Sequence, residues 1–453
     1  MLVWAAPAAA DFSEGLAAFE AGDYAAALEK WLPVAEHGDH AAMYNVALIY
    51  DHGLGVDVDK AEAVRWYRRP AEDGNASAQF ALATIYDYGE GVTENDAEAV
   101  RWYYRAAQQA DEEAQFNLGV MFSNGEGVEV DYQQAMYWYR RSADLGYPPA
   151  QYNLAYLYDA GLGVAEDDDE AYAWYRRAAE AGDADACFAI AVMLDEGEGR
   201  AEDNAGALVW YERAAAAGHT KAQFNLAIMF DLGEGTLEDN ATAIHWYRQA
   251  ALGGHSGAQV NLGIMLERGE GTDADPAAAL RWYRMAAENG SIPAQYAVAL
   301  LLDTGNGVPE DNTAAALWYE RAARQGDPDA QNNLGAMFDV GEGVPEDDAA
   351  AAYWYALAAQ QGNSIAQNNL GALYLNGDGV PRDRVSAYMW FLIAESLGSP
   401  VARTNRLSSA ATMQNEEIVE AESLAQAWLA RFRGPERDAP PVAARIETPD
   451  SGS

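Results

Sequence analysis

A tryptophan returns at a fixed interval through most of this chain. Trp66, Trp102, Trp138, Trp174, Trp210, Trp246, Trp282, Trp318, Trp354 and Trp390 follow one another every 36 residues without a slip. The fullest form around each is Trp-Tyr-x-x-Ala-Ala-x-x-Gly, as in Trp174-Tyr175-Arg176-Arg177-Ala178-Ala179-Glu180-Ala181-Gly182. A period of this size means stacked two-element units, each burying its apolar face mainly against its neighbours. The length of 453 residues would otherwise suggest about three globular domains. The unbroken repeat overrides that expectation.

Each unit reads as two helices and a turn. In the unit opening at Ala222, the apolar residues Ala222, Leu226, Met229 and Phe230 share one helical face. Gly233-x-Gly235 then ends the first helix, here helix A, because glycine takes the left-handed C′ conformation that closes a helix. Seven residues before each tryptophan stands an N-cap for helix B: Asp59, Asn95, Asp131, Asp167, Asp203, Asp239, Asp275, Asp311, Asp347 and Asp383. Such a side chain satisfies free N–H groups and favours the positive end of the helix dipole. Three residues before each tryptophan is an alanine, from Ala63 to Ala387, which allows close helix approach. Gly stands eight residues after the tryptophan in every unit except one, where Ala110 takes its place.

The flanks depart from the period. Phe12 to Glu36 reads as a helical hairpin with a turn at Gly22-Asp23, and beyond Trp390 helices are expected from Ser399 to about Ser409 and from Asn415 to Arg431. The expected organisation is a leader remnant over 1–10, a hairpin cap over 11–41, ten units over 42–401, capping helices over 402–433 and a disordered tail over 434–453. Within the array, Pro70 stands at a usual alanine and predicts a kink or early end of that helix. Arg200 replaces a usual valine and Cys187 a usual glutamine.

Composition limits function. With 28 basic and 71 acidic residues, the formal net charge is −43, which repels phosphate backbones and anionic lipid heads and argues against nucleic-acid binding. The acidity suits a secreted protein, a high-salt setting, or attraction to basic partners. The single cysteine allows no internal disulfide and no cysteine metal cluster. No apolar run is long enough to span a membrane as a helix. The stretch from Met1 to Ala10 is apolar and ends in small residues, like the last part of a secretory signal peptide. That reading implies a periplasmic or secreted protein; the alternative is a cytoplasmic protein with an apolar N-terminus.

The pattern Ala-x-x-x-Leu-Gly-x-x-Tyr-x-x-Gly-x-Gly-Val-x-x-Asp-x-x-x-Ala-x-x-Trp-Tyr-x-x-Ala-Ala closely resembles the Sel-one-like repeat (SLR) family, related to tetratricopeptide repeats. The resemblance covers residues 42 to 401. It implies an all-α fold, an α/α superhelical solenoid of about ten 36-residue helix-turn-helix units with helical caps. It also implies an adaptor or scaffold role, often exported in bacteria and often modulating signalling or envelope processes. The opening hairpin resembles a tetratricopeptide unit. A cysteine-rich branch of the family is linked to β-lactam binding; this chain, with one cysteine, departs from that branch.

Candidate binding residues form a row on helix A: Asn45, Asn117, Asn153, Asn225, Asn261, Asn333 and Asn369. Of these, Asn117, Asn153, Asn225, Asn261, Asn333 and Asn369 are the expected partner-binding positions, able to hydrogen-bond an extended peptide. The competing reading is a structural amide tying hairpin to hairpin. The gaps at Ala81, Ala189 and Ala297 fall every third unit. Acidic clusters such as Glu166-Asp167-Asp168-Asp169 and Glu346-Asp347-Asp348 recur between the helices, as N-caps and a solvated face, without calcium-loop spacing. The Gly-x-Gly loops follow helices rather than strands and lack a nucleotide fingerprint's third glycine. His219 and His255 occupy equivalent places in adjacent units, too far apart to share a metal. No nucleophile elbow or Cys–His pair occurs, and exposed loop carboxylates give no reason for perturbed pKa values. The chain is therefore expected to be a non-catalytic scaffold for a protein or peptide, with no cofactor and no metal. The alternative is an envelope glycan-binding or glycan-hydrolysing protein, which would need a buried carboxylate pair.

Overall fold

The computed structural model describes residues 7–432, and all of its regular structure is helical: 24 helices, α1–α24 in chain order. The first pair is α1 (Pro7–Glu20) and α2 (Tyr24–Glu36). Ten pairs follow at the sequence period, from α3 (His40–His52) and α4 (Lys60–Glu72) to α21 (Ser364–Asn376) and α22 (Arg384–Ser396). Met1–Ala6 and the expected tail over 434–453 lie outside the described residues; Pro7–Ala10 belong to α1. The chain divides into two compact units, one up to Ala214 and one from Ala215. Within each, a helix A packs on its own helix B, and that helix B packs on the next helix A.

The expected cores are present. The alanine opening each unit and the alanine three residues before each tryptophan are fully buried, at 0% exposure from Ala42 to Ala387. With no side chain beyond Cβ, they bring helix backbones close, and the ring after each tryptophan, tyrosine except for Phe391, fills the space between hairpins. Tyr67, Tyr103, Tyr175, Tyr211, Tyr247, Tyr283, Tyr319 and Tyr355 are among the largest fully buried side chains. Every expected helix-B cap makes its bond, as where Asp275 Oδ1 accepts from the Ala278 N–H at 2.8 Å.

Helix A begins two residues earlier than the opening alanine suggests, because it has its own caps. Asp39, Asn75, Asp111, Asp183, Asp327 and Asn363 each accept from the opening alanine's N–H. His219 and His255 do the same through Nδ1, at 3.0 and 3.1 Å from Ala222 and Ala258 N. This explains why two histidines recur one period apart.

The expected early end at Pro70 does not occur. Helix α4 runs on to Glu72, the same register at which α10 (Asp168–Glu180) ends. Pro70 stands in the last turn, where only one amide bond is forfeited, and its ring is buried in the slot that Ala106 and Ala178 fill elsewhere.

After α22 the pattern changes. α23 (Ala402–Ala410) packs on α22 as a following helix A would, whereas α24 (Asn415–Phe432) packs on α22 rather than pairing with α23. Trp428 of α24 meets Trp390 edge-on at 5.8 Å, and Phe432 reaches Gly362.

Candidate functional site

The helix-A side of the repeat is built on a recurring polar relay. A buried helix-B tyrosine donates its hydroxyl to an acid sixteen residues earlier on its own helix A: Tyr67 to Asp51 (3.1 Å), Tyr103 to Asp87 (3.1 Å), Tyr247 to Asp231 (3.1 Å) and Tyr319 to Asp303 (3.2 Å). The row asparagine of the next unit then donates to that same hydroxyl: Asn261 to Tyr247 (3.2 Å) and Asn333 to Tyr319 (3.1 Å). Asn117, Asn153 and Asn369 make the equivalent contact with Tyr103, Tyr139 and Tyr355. Asn225 is buried at 3% exposure. The row is thus half-buried to buried, with its amides engaged at the junction of consecutive hairpins. In the last unit Leu375 stands for the acid and Phe391 for the tyrosine, so both polar partners are lost together.

The relay acids were not singled out from sequence, and five of them carry raised pKa values. Burial pushes Asp159 up to about 6, helped by the charges of Glu198, Asp168 and Glu166 and opposed by the Tyr175 hydroxyl. Asp87, Asp231, Asp303 and Asp339 are raised for the same leading reason. The expectation was drawn for the exposed loop carboxylates; the raised values fall instead on part-buried acids at the end of helix A. Each is tied to a tyrosine of the repeating frame, an arrangement unlike the acid–base pair of a glycosidase.

A second ladder also escaped sequence reading. The glutamine after the opening alanine donates Nε2 to a carbonyl eight residues back, near the end of the preceding helix B: Gln79 to Ala71 (2.8 Å), Gln115 to Ala107 (2.9 Å), Gln367 to Ala359 (2.9 Å). It thereby adds a second donor to a helix C-terminal carbonyl that already accepts the N–H of the residue three further on. Cys187 occupies this slot with Sγ 3.9 Å from Ala179 O, a weaker contact. The signal was the recurrence of Gln in eight of the ten units, with Met43 and Cys187 in the other two, which argues for a backbone partner. Arg200, the other departure, lies 3.5 Å over the Tyr172 ring and 3.6 Å from Asp169.

In the unit before Ala214, a pocket of about 570 Å³ opens on the helix-A side, lined by Asp87, Glu94, Asp96, Asn117 and Glu126 with Tyr88, Phe116 and Val120. It brings one predicted row residue, Asn117, together with four carboxylates and two aromatic rings. A larger cavity of about 740 Å³ lies in the unit from Ala215, lined by Arg248, Arg281, Asp273 and Asp275 beside Trp282. It holds both signs of charge and none of the asparagines. Among the described residues, no three His, Cys, Asp or Glu side chains are placed to hold a metal ion, and no helix is long and apolar enough to cross a membrane.

The Sel1 repeat model matches ten consecutive segments, from 40–75 through 364–399, and their bounds coincide with the helix pairs. The chain belongs to the Sel1 repeat family. Among solved Sel1-like structures, it is similar to c5321, described as a protective antigen of uropathogenic Escherichia coli with an SLR fold. Identity is 32%, covering 93% of this chain and 99% of that one, with a TM-score of 0.60. It is also similar to a Sel1 repeat protein from Oxalobacter formigenes, at 34% identity over 68% of this chain and 89% of the other, with a TM-score of 0.54. No curated protein matches it. Sel1 repeats, like other helical-hairpin arrays, are in general scaffolds for protein interaction, typically without catalytic activity.

Proposed function

We propose that this Sel1 repeat protein is a non-catalytic scaffold of the bacterial envelope that receives a basic protein partner on its helix-A side. The observation that carries the reading is the pocket in which Asp87, Glu94, Asp96 and Glu126 surround Asn117 and the exposed Tyr88. Carboxylates beside aromatic faces suit cationic side chains, which gain both ion pairing and cation–π attraction there. The net charge of −43 adds long-range steering toward such a partner. Asn117, which lines the pocket, would hold the partner's backbone through its amide oxygen, with its amide nitrogen turned to Tyr103. Export is supported by the apolar, alanine-rich start and by the likeness to a protein described as a protective antigen.

The test is capture of partners by the tagged full chain from an envelope fraction at low and high salt. A stoichiometric protein retained at low salt and released at high salt is the expected result. If the folded chain retains no protein at either salt, the scaffold reading fails.

A further inference from the structure

One position of the repeat decides how the inter-helix carboxylates are neutralised. It is the residue just after the helix-B N-cap, which reaches toward the Gly-x-Gly loop of the next unit. In the first unit it is Lys60, whose Nζ lies 2.8 Å from Asp51 Oδ1 and 2.6 Å from Glu90 Oε2. In a later unit it is Asn312, whose Nδ2 donates at 2.9 Å to both Glu310 Oε1 and Glu342 Oε1. In both, a donor of the chain's own sits between acids of consecutive units.

Three units place an aspartate there instead. Asp96 then shares its notch with Asp87, Glu94 and Glu126, and their charges act together on Asp87. Asp168 stands likewise with Asp159 and Glu198, and Asp348 with Asp339 and Asp378. Among the described residues, no Lys, Arg or His pairs with any of these acids; the donors found are neutral, Tyr103 to Asp87 and Asn124 to Glu126 at 3.1 Å each, Tyr175 to Asp159 at 3.2 Å and Tyr355 to Asp339 at 3.4 Å. Arg200 sits beside the second notch, on Asp169. The carboxylates are too widely set to converge on a metal ion. An ammonium is different: it has three donors to spread over separate acceptors, and the Lys60 notch shows one bridging acids at the equivalent positions. The Asp96 notch opens into the 570 Å³ pocket, where Tyr88 is 68% exposed and can cover a lysine stem.

We propose that the aspartate notches, first of all those of Asp96 and Asp348, are receptor sites for lysine ammonium groups of the partner, each filled from outside as Lys60 fills the first notch from within. This rests on the scaffold reading and names its chemistry: a lysine-bearing segment rather than any cationic surface. The compact, rotatable ammonium suits the Lys60 geometry, whereas a planar guanidinium presents its donors in a fixed fork.

The experiment measures binding of a fluorescein-labelled alternating Gly-Lys peptide to the full chain by anisotropy at fixed, low ionic strength. Asp96→Lys with Asp348→Lys installs the Lys60 arrangement, and the expected loss of affinity is about tenfold or more. Glu72→Lys with Glu288→Lys makes the same change in charge at exposed helix ends and should cost less than about twofold. Equal losses from the two pairs overturn the proposal in favour of diffuse attraction, and so does equal binding of a Gly-Arg peptide. Asp96→Asn with Asp348→Asn, the residue of the Asn312 notch, guards against misfolding and should show a smaller loss in the same direction; unchanged affinity overturns the notches. Capture from the envelope separates the two readings. A partner held equally by wild type and by Asp96→Lys/Asp348→Lys removes the notches and leaves the scaffold standing.

Discussion

Ala110 is the one non-glycine residue with positive φ among those described, at 63°. It stands where every other unit has glycine closing helix B, and the glycines at that place, such as Gly146 and Gly182, have nothing near the position of a Cβ, apart from Gly362, which Phe432 reaches. The strain at Ala110 is therefore conformational alone. A left-handed non-glycine residue costs about 1–2 kcal/mol, less the entropy glycine surrenders on folding. Ala110→Gly should accordingly stabilise the protein by about 0.5–1 kcal/mol. Urea unfolding of the two chains checks it, with a higher midpoint at unchanged slope expected. Sequence showed Ala110 as an exception; the backbone angle makes it a strained one.

At the scale of the element, an acid–tyrosine–asparagine relay joins the two helices of a hairpin and ties them to the next, as at Asp303, Tyr319 and Asn333. Removing one member leaves a part-buried carboxylate without its donor, whereas removing both reproduces the Leu375/Phe391 unit. Tyr319→Phe alone should therefore cost about 1–2 kcal/mol, and Tyr319→Phe with Asp303→Leu should recover most of that loss. A double-mutant cycle on thermal unfolding measures the coupling; additive losses would show that the relay is incidental to packing. Pro70 belongs to this scale too. Its local propensity argued for a break, but a buried slot in the last turn outweighed one lost amide bond.

At the scale of the molecule, the relay acids make stability depend on pH in an unusual direction. Burial holds the folded-state pKa values of Asp87, Asp159, Asp231, Asp303 and Asp339 above the ordinary aspartate value, at about 6 for Asp159, so the folded chain binds these protons more tightly than the unfolded chain does. The associated stability is complete below about pH 4 and is lost as pH rises through about 6. A net charge of −43 works in the same sense, because protonation relieves repulsion. Tm should rise as pH falls from 7.5 to 5, and Asp159→Asn should flatten part of that rise, on the order of 2–4 °C. Calorimetry across this range checks the sign; a Tm that falls toward pH 5 would contradict it.

The periodic residues alone determined the all-α array, the ten units, the helix-B caps and the glycine turns, because each rests on neighbours in sequence and a pattern repeated ten times leaves no ambiguity of period. The sequence also set the net charge, and with it the expectation against a nucleic-acid partner. Tertiary structure decided what spacing cannot carry. Asn261 meets Tyr247 across a junction between units, Gln79 reaches a carbonyl of the preceding helix, and the part-buried Asp159 feels the charge of Glu198 from the next unit. The notches followed the same logic. Lys60 and Asp96 look like interchangeable surface residues in the chain, yet one bridges two carboxylates and the other joins them, because a neighbouring unit's loop folds over both.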